Sequence, residues 1–136
     1  MSMQDDNNND SPKPANVNGL SEQFGKGYSS GQLAGYRKDG LGQRALTVIE
    51  FLQARGLEGK SVLDIGCGIG ALHMELLLAG AERATGVDAS PTNIAAAQEL
   101  AEELGLADRV EERQGDFVDL QDSVPHADIV TIDRAI

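Results

Sequence analysis

Nine consecutive residues constrain this chain more than any others: Val62-Leu63-Asp64-Ile65-Gly66-Cys67-Gly68-Ile69-Gly70. They read as a short buried strand running straight into a glycine-rich turn. The good helix formers from Ala71 to Ala79 follow. Strand, glycine loop and helix together present backbone N–H groups at a helix start, where a small ligand can be held. Gly66, Gly68 and Gly70 permit positive φ and close approach of a ligand. Asp64 adds a carboxylate near the end of an apolar strand, two residues before the first glycine. The site is therefore of nucleotide type with a preference in charge.

A chain of 136 residues holds one domain. Its net charge of −11 offers no basic stripe for a phosphate-rich polymer, so nucleic acid is not an expected partner. The single cysteine, Cys67, excludes an internal disulfide. The first residues lack the cationic and apolar regions of a signal peptide. The longest apolar run, Leu76 to Ala81, is far short of the roughly 20 residues that span a membrane. A soluble, cytoplasmic protein without a membrane partner is the expectation, and composition leaves its oligomeric state open.

Residues 1–18 are rich in Asp and Asn and nearly devoid of apolar side chains, which reads as a disordered tail. Residues 19–40 place Phe24, Tyr28, Leu33 and Tyr36 among Gly25, Gly27, Gly31 and Gly35, the pattern of a glycine-rich connector or a flap. An amphipathic helix is predicted over 41–55, with Leu41, Ala45, Val48, Ile49 and Leu52 on one face. Strands are expected at about 61–65, 83–88, 109–114 and 127–133, the third nearer an edge. Helices are expected at 71–79 and, from the Ser90-Pro91 start, on to Leu104. Strands alternating with helices predict an α/β fold, an open doubly wound parallel sheet with right-handed crossovers.

Asp64, Asp88, Asp116 and Asp133 each fall at or near the end of a predicted strand, and in such a sheet those ends face one crevice. Two ligand classes compete for it. Gly66, Gly68 and Ala71, with Asp88 22 residues beyond Gly66, also fit a dinucleotide fingerprint and hence an NAD(P)-binding oxidoreductase. Asp64 counts against that reading, because a carboxylate beside the loop repels a pyrophosphate. A cationic adenosyl ligand fits better: Asp64 for its charged end, Asp88 for the ribose hydroxyls, Asp116 for the adenine amino group and Phe117 for the base.

These residues resemble the class I S-adenosylmethionine-dependent methyltransferases. Residues 62–70 look like the family's first motif, and Gly86-Val87-Asp88-Ala89-Ser90 like the second, whose acid binds ribose. Gly115-Asp116-Phe117 is similar to the adenine-contacting motif, and residues 127–133 to the fourth strand. The resemblance covers residues 41–136 and implies an S-adenosylmethionine-binding, Rossmann-like domain. It implies cofactor contacts from Asp64, Gly66, Cys67, Gly68, Gly70, Asp88, Ala89, Asp116 and Phe117. A small-molecule acceptor is implied, loosely as in the magnesium-protoporphyrin O-methyltransferases.

The Asn/Asp-Pro-Pro-aromatic motif of amino-nitrogen methyltransferases is replaced by Asp133-Arg134-Ala135-Ile136, so that chemistry is unsupported; the resemblance implies an oxygen, nitrogen or carbon nucleophile, with oxygen favoured. Asp133 is the sole catalytic candidate, since an acid at that place serves metal-dependent relatives; no metal site is expected. The family's sheet has seven strands and this sequence reaches four, which suggests the nucleotide-binding half of a larger domain. A non-catalytic nucleoside-binding fragment or partner subunit is the alternative. Cys67 has no paired base and His73 is read as a partly exposed packing residue.

Overall fold

The protein is described by a computed structural model over residues 14–132, with side chains from residue 25 onward. Helix α1 runs Pro14–Asp39 and α2 Gln43–Ala54; β1 is Ser61–Ile65, α3 Ala71–Leu78 and β2 Arg83–Asp88. Then come α4, Pro91–Glu103, a 3-10 turn at Ala107–Arg109, β3 at Val110–Gln114, α5 at Phe117–Leu120 and β4 at Ile129–Ile132. The four strands form a parallel sheet in the order β3-β2-β1-β4. The α/β expectation and the edge position of β3 both hold.

The N-terminal region differs from expectation. Residues 14–39 are one helix, not a tail joined to a glycine-rich connector; residues 1–13 and the candidate Asp133 lie outside the described residues. The reason is tertiary. Ser29 and Leu33 are buried, with Tyr36 half-buried, and this stripe at helical spacing lies along α4. Arg37 closes the contact on Glu99 and Glu103 at 2.9 and 2.7 Å. Packing overrides the weak helix propensity of five glycines.

One face of the sheet is covered by α3 and α4; on the other the central strands are covered, while Val130 and Ile132 of β4 are more than half exposed. Val62 and Ala84 join Met74, Leu76 and Leu100 in the larger core, beneath α3 and α4. Leu63, Ile65 and Val87 form a second cluster with Phe117, Leu120, Val124 and Ala127. Among the described residues, no helix is long and apolar enough to cross a membrane.

Candidate functional site

Strand register sets one row of residues across the sheet. Asp64 pairs with Gly86 on one side and with Thr131 on the other, and Gly86 pairs with Glu112. Asp64 and Glu112 are thus two strands apart, roughly 10 Å at the backbone. His73 of α3 fills the space between them, over Gly86. A Cβ on Gly86 would collide with Glu112 Oε1 and His73 Cε1, so glycine there makes room for the ring.

The imidazole bridges two carboxylates: Nδ1 lies 2.8 Å from Asp64 Oδ2 and Nε2 lies 2.7 Å from Glu112 Oε2. All three side chains are at most 2% exposed. Burial alone would lower the His73 pKa, but hydrogen bonds to Asp64 and Glu112 outweigh it and hold it up at about 9. The triad is then one imidazolium between two carboxylates and carries a net negative charge. Thr131 Oγ1 donates to the remaining oxygen, Asp64 Oδ1, at 2.8 Å. His73 is therefore a buried keystone and not the partly exposed packing residue expected.

The glycine loop sits above this row. Gly66, Gly68 and Gly70 all take positive φ, at 71°, 59° and 84°. Gly66 N–H and Cys67 N–H both donate to the Val87 carbonyl, at 2.8 and 3.0 Å. Gly68 N–H instead donates to Asp88 Oδ2 at 2.8 Å, while Asp88 Oδ1 accepts from Ser90 N–H at 2.8 Å and Asn93 Nδ2 at 3.3 Å. Ser90 caps α4, its hydroxyl accepting from Asn93 N–H, with Pro91 at the first helical position. Asp88 thus ties the loop to the start of α4.

A cleft of about 860 Å³ opens over these groups. Gly66, Cys67, Gly68 and Asp88 line it, as the sequence predicts. Asn93 and Thr131 line it too, and α1 and α2 supply Tyr28, Gln32, Arg44 and Val48 as its far wall. Five predicted residues lie off that wall. Asp64 is 1% exposed and turned onto His73 and Thr131. Gly70 is buried against the His73 ring. Ala89 is exposed and its carbonyl accepts from Gln114 Nε2. Asp116 caps α5 by accepting from Val118 N–H at 2.9 Å, and Phe117 packs on Leu63, Ile65 and Val87.

Asn93, Thr131 and Glu112 are not among the predicted site residues. A carboxylate at a half-buried position of β3, paired with a histidine in an apolar helix, is the one sequence signal that could have found the triad. Cys67 Sγ, a His73 nitrogen and a Glu112 oxygen lie within 4.8 Å of one another. Both imidazole nitrogens are already engaged by carboxylates, so the group is complete as an ion triad. Burial, and then the carboxylates of Glu112, Asp64 and Asp88, push the Cys67 thiol far up, which keeps it a neutral thiol and not a nucleophile.

Residues 62–136, more than half of the chain, match the family described as "Methyltransferase domain". The ribosomal protein L11 methyltransferase of Vibrio parahaemolyticus serotype O3:K6 is 40% identical over 63 residues, 46% of this chain and 21% of that protein. The chain thus spans about a fifth of the length of the curated relatives it matches. Magnesium protoporphyrin IX methyltransferase from Synechocystis PCC 6803, solved with S-adenosylmethionine, superposes with a TM-score of 0.58 at 32% identity; 66% of this chain and 42% of that one are covered. A methyltransferase from Thiobacillus denitrificans, solved with S-adenosylhomocysteine, gives 0.55 at 26% identity, covering 68% and 36%. The glycine loop, the strand-end acid and the sheet order all fall inside the matched region: the chain belongs to the class I S-adenosylmethionine-dependent methyltransferase family.

Proposed function

We propose that this chain is the cofactor-binding part of a cytoplasmic enzyme that transfers a methyl group from S-adenosylmethionine to a small-molecule acceptor, with oxygen as the favoured nucleophile. The observation that carries the reading is Asp88. Among the described residues its Oδ2 accepts from the Gly68 N–H and keeps acceptor capacity at the cleft, since a carboxylate has about four lone-pair sites. Its other oxygen accepts from Ser90 N–H and Asn93 Nδ2. A ribose hydroxyl is the donor such a group accepts. A Cβ on Gly68 would meet nothing within 4 Å, so the loop leaves open space beside Asp88.

Charge supports the same ligand. Asp88 stands at the cleft and the negative Asp64–His73–Glu112 triad lies beneath the loop. That field favours a sulfonium and an ammonium over a pyrophosphate, which counts against the dinucleotide reading. When bound, the cofactor supplies an electrophilic methyl group. The chain's own share is positional: Asp88 and the loop fix the nucleoside, and α1 and α2 supply the opposite wall of the cleft. The similarity to magnesium protoporphyrin IX methyltransferase supports a small-molecule acceptor.

Isothermal titration tests the reading. The full chain should bind S-adenosylhomocysteine, and Asp88→Ala should abolish that binding. Binding of NADH without any binding of S-adenosylhomocysteine would overturn it.

A further inference from the structure

The wall that α1 contributes is wired to Asp88. Ser29 Oγ, on a side chain only 4% exposed, donates to Asn93 Oδ1 at 2.6 Å. Asn93 Nδ2 donates in turn to Asp88 Oδ1. Ser29 Oγ also lies 3.1 Å from Thr92 Oγ1, which lies 3.0 Å from Ser90 Oγ. A hydroxyl has one proton. Ser29 gives its proton to Asn93, so it must accept from Thr92, and Thr92 must accept from Ser90. Every donor in the chain then points the same way, toward the Asp88 carboxylate, and such aligned bonds reinforce one another.

The proton from Ser29 also settles which way the Asn93 amide faces. With Oδ1 taken by Ser29, the NH₂ group must face Asp88. Without that donor the amide can turn and set its oxygen against the carboxylate. The close approach of the two helices is built in: a Cβ on Gly25, one turn before Ser29, would lie 2.9 Å from Thr92 Oγ1. One residue from Ser29, Tyr28 lines the cleft, with Gln32 one turn further on.

We infer that Ser29 is a positioning residue for the ribose-binding carboxylate, acting through Asn93, and that α1 thereby couples the nucleotide end of the cleft to the acceptor wall of Tyr28 and Gln32. This rests on the reading of Asp88 as the ribose acceptor. Nothing in the loop motif or the strand-end acids requires it, because α1 lies outside the matched family region.

The test compares adenosine with 2′,3′-dideoxyadenosine on the full chain. Ser29→Ala should weaken adenosine by about threefold to tenfold, the loss of one neutral hydrogen bond, and leave the dideoxy nucleoside unchanged. In an Asn93→Ala background, Ser29→Ala should have no further effect on adenosine. If Ser29→Ala does not fold, Asn93→Ala alone must erase part of that preference. Equal weakening of both nucleosides, or a full Ser29 effect that persists without Asn93, would overturn the inference and reduce Ser29 to a packing residue. A native chain that binds adenosine with no dependence on its hydroxyls would instead overturn the reading of Asp88.

Discussion

Glu112 on β3 and His73 on α3, 39 residues apart in sequence, meet at 2.7 Å in the space that Gly86 leaves open. With Asp64 on the other side of the ring, the contact pins the outer strand, the central strand and the helix after the glycine loop to one point. The pin lies directly beneath the residues that line the cleft. It therefore links stability of the sheet to the shape of the ligand site, and it does so through a proton.

That proton sets a pH dependence. His73 is raised from 6.5 to about 9 in the folded chain, so the folded state holds a proton that the unfolded state releases sooner. Its contribution is full below about pH 6.5 and is lost as pH rises through about 9. Urea denaturation should show stability falling across that window. His73→Gln should be less stable at neutral pH and should lack the decline. A flat profile for the unaltered chain between pH 6.5 and 9 would mean that the ring is neutral in the folded state.

Gly86→Ala should destabilise the fold chiefly by crowding groups beneath the cleft; of the cleft wall it meets Cys67 Sγ, 3.0 Å from the added Cβ. The added methyl group meets His73 Cε1 and Glu112 Oε1, both held in place by hydrogen bonds. Overpacking of this kind costs about 1–3 kcal/mol. Gly68→Ala is the opposite case. No atom lies within 4 Å of its Cβ, but φ is +59°, so the cost is backbone strain of about 1–2 kcal/mol. Its methyl group enters the cleft, and S-adenosylhomocysteine binding should fall far more than stability does. Denaturation and titration of both variants separate the two effects.

Much of this was legible in the sequence, and what was missed shares one cause. Apolar runs marked β1 and β4, a short stretch ending in a carboxylate marked β2, Ser90-Pro91 marked the start of α4, and Asp88 stood out because it ends a strand at the right distance from the loop. Such signals are local. α1 is not local: its stripe of Gly25, Ser29 and Leu33 has meaning only against α4, and Gly27, Gly31 and Gly35 disguised it as a connector. His73 and Glu112 each look unremarkable alone. Strand register, which sets Glu112, Gly86, Asp64 and Thr131 in one row, is what turns them into a triad. The same register explains Asp64, whose charge was read as facing a ligand while its side chain points into the sheet–helix layer.

Asp64→Asn tests that last point. A carboxylate facing the cofactor's ammonium would, when neutralised, weaken S-adenosylmethionine much more than adenosine. Asp64 is 1% exposed, however, and its two oxygens are taken by His73 and Thr131. The substitution keeps the shape of the side chain and leaves His73 paired with Glu112, so no buried charge is stranded. It turns the ion pair with His73 into an ion–dipole hydrogen bond and makes the Thr131 bond neutral, a loss of about 1–2 kcal/mol of stability. With one carboxylate fewer beside the ring, the His73 pKa should fall, and the pH-dependent loss of stability should begin lower than in the unaltered chain. Both ligands should weaken by the same factor, because what changes is the seat of the loop and not a ligand contact. Titrations with adenosine and S-adenosylmethionine, paired with the denaturation profile, read all three effects; a selective loss of S-adenosylmethionine would place Asp64 at the ligand after all.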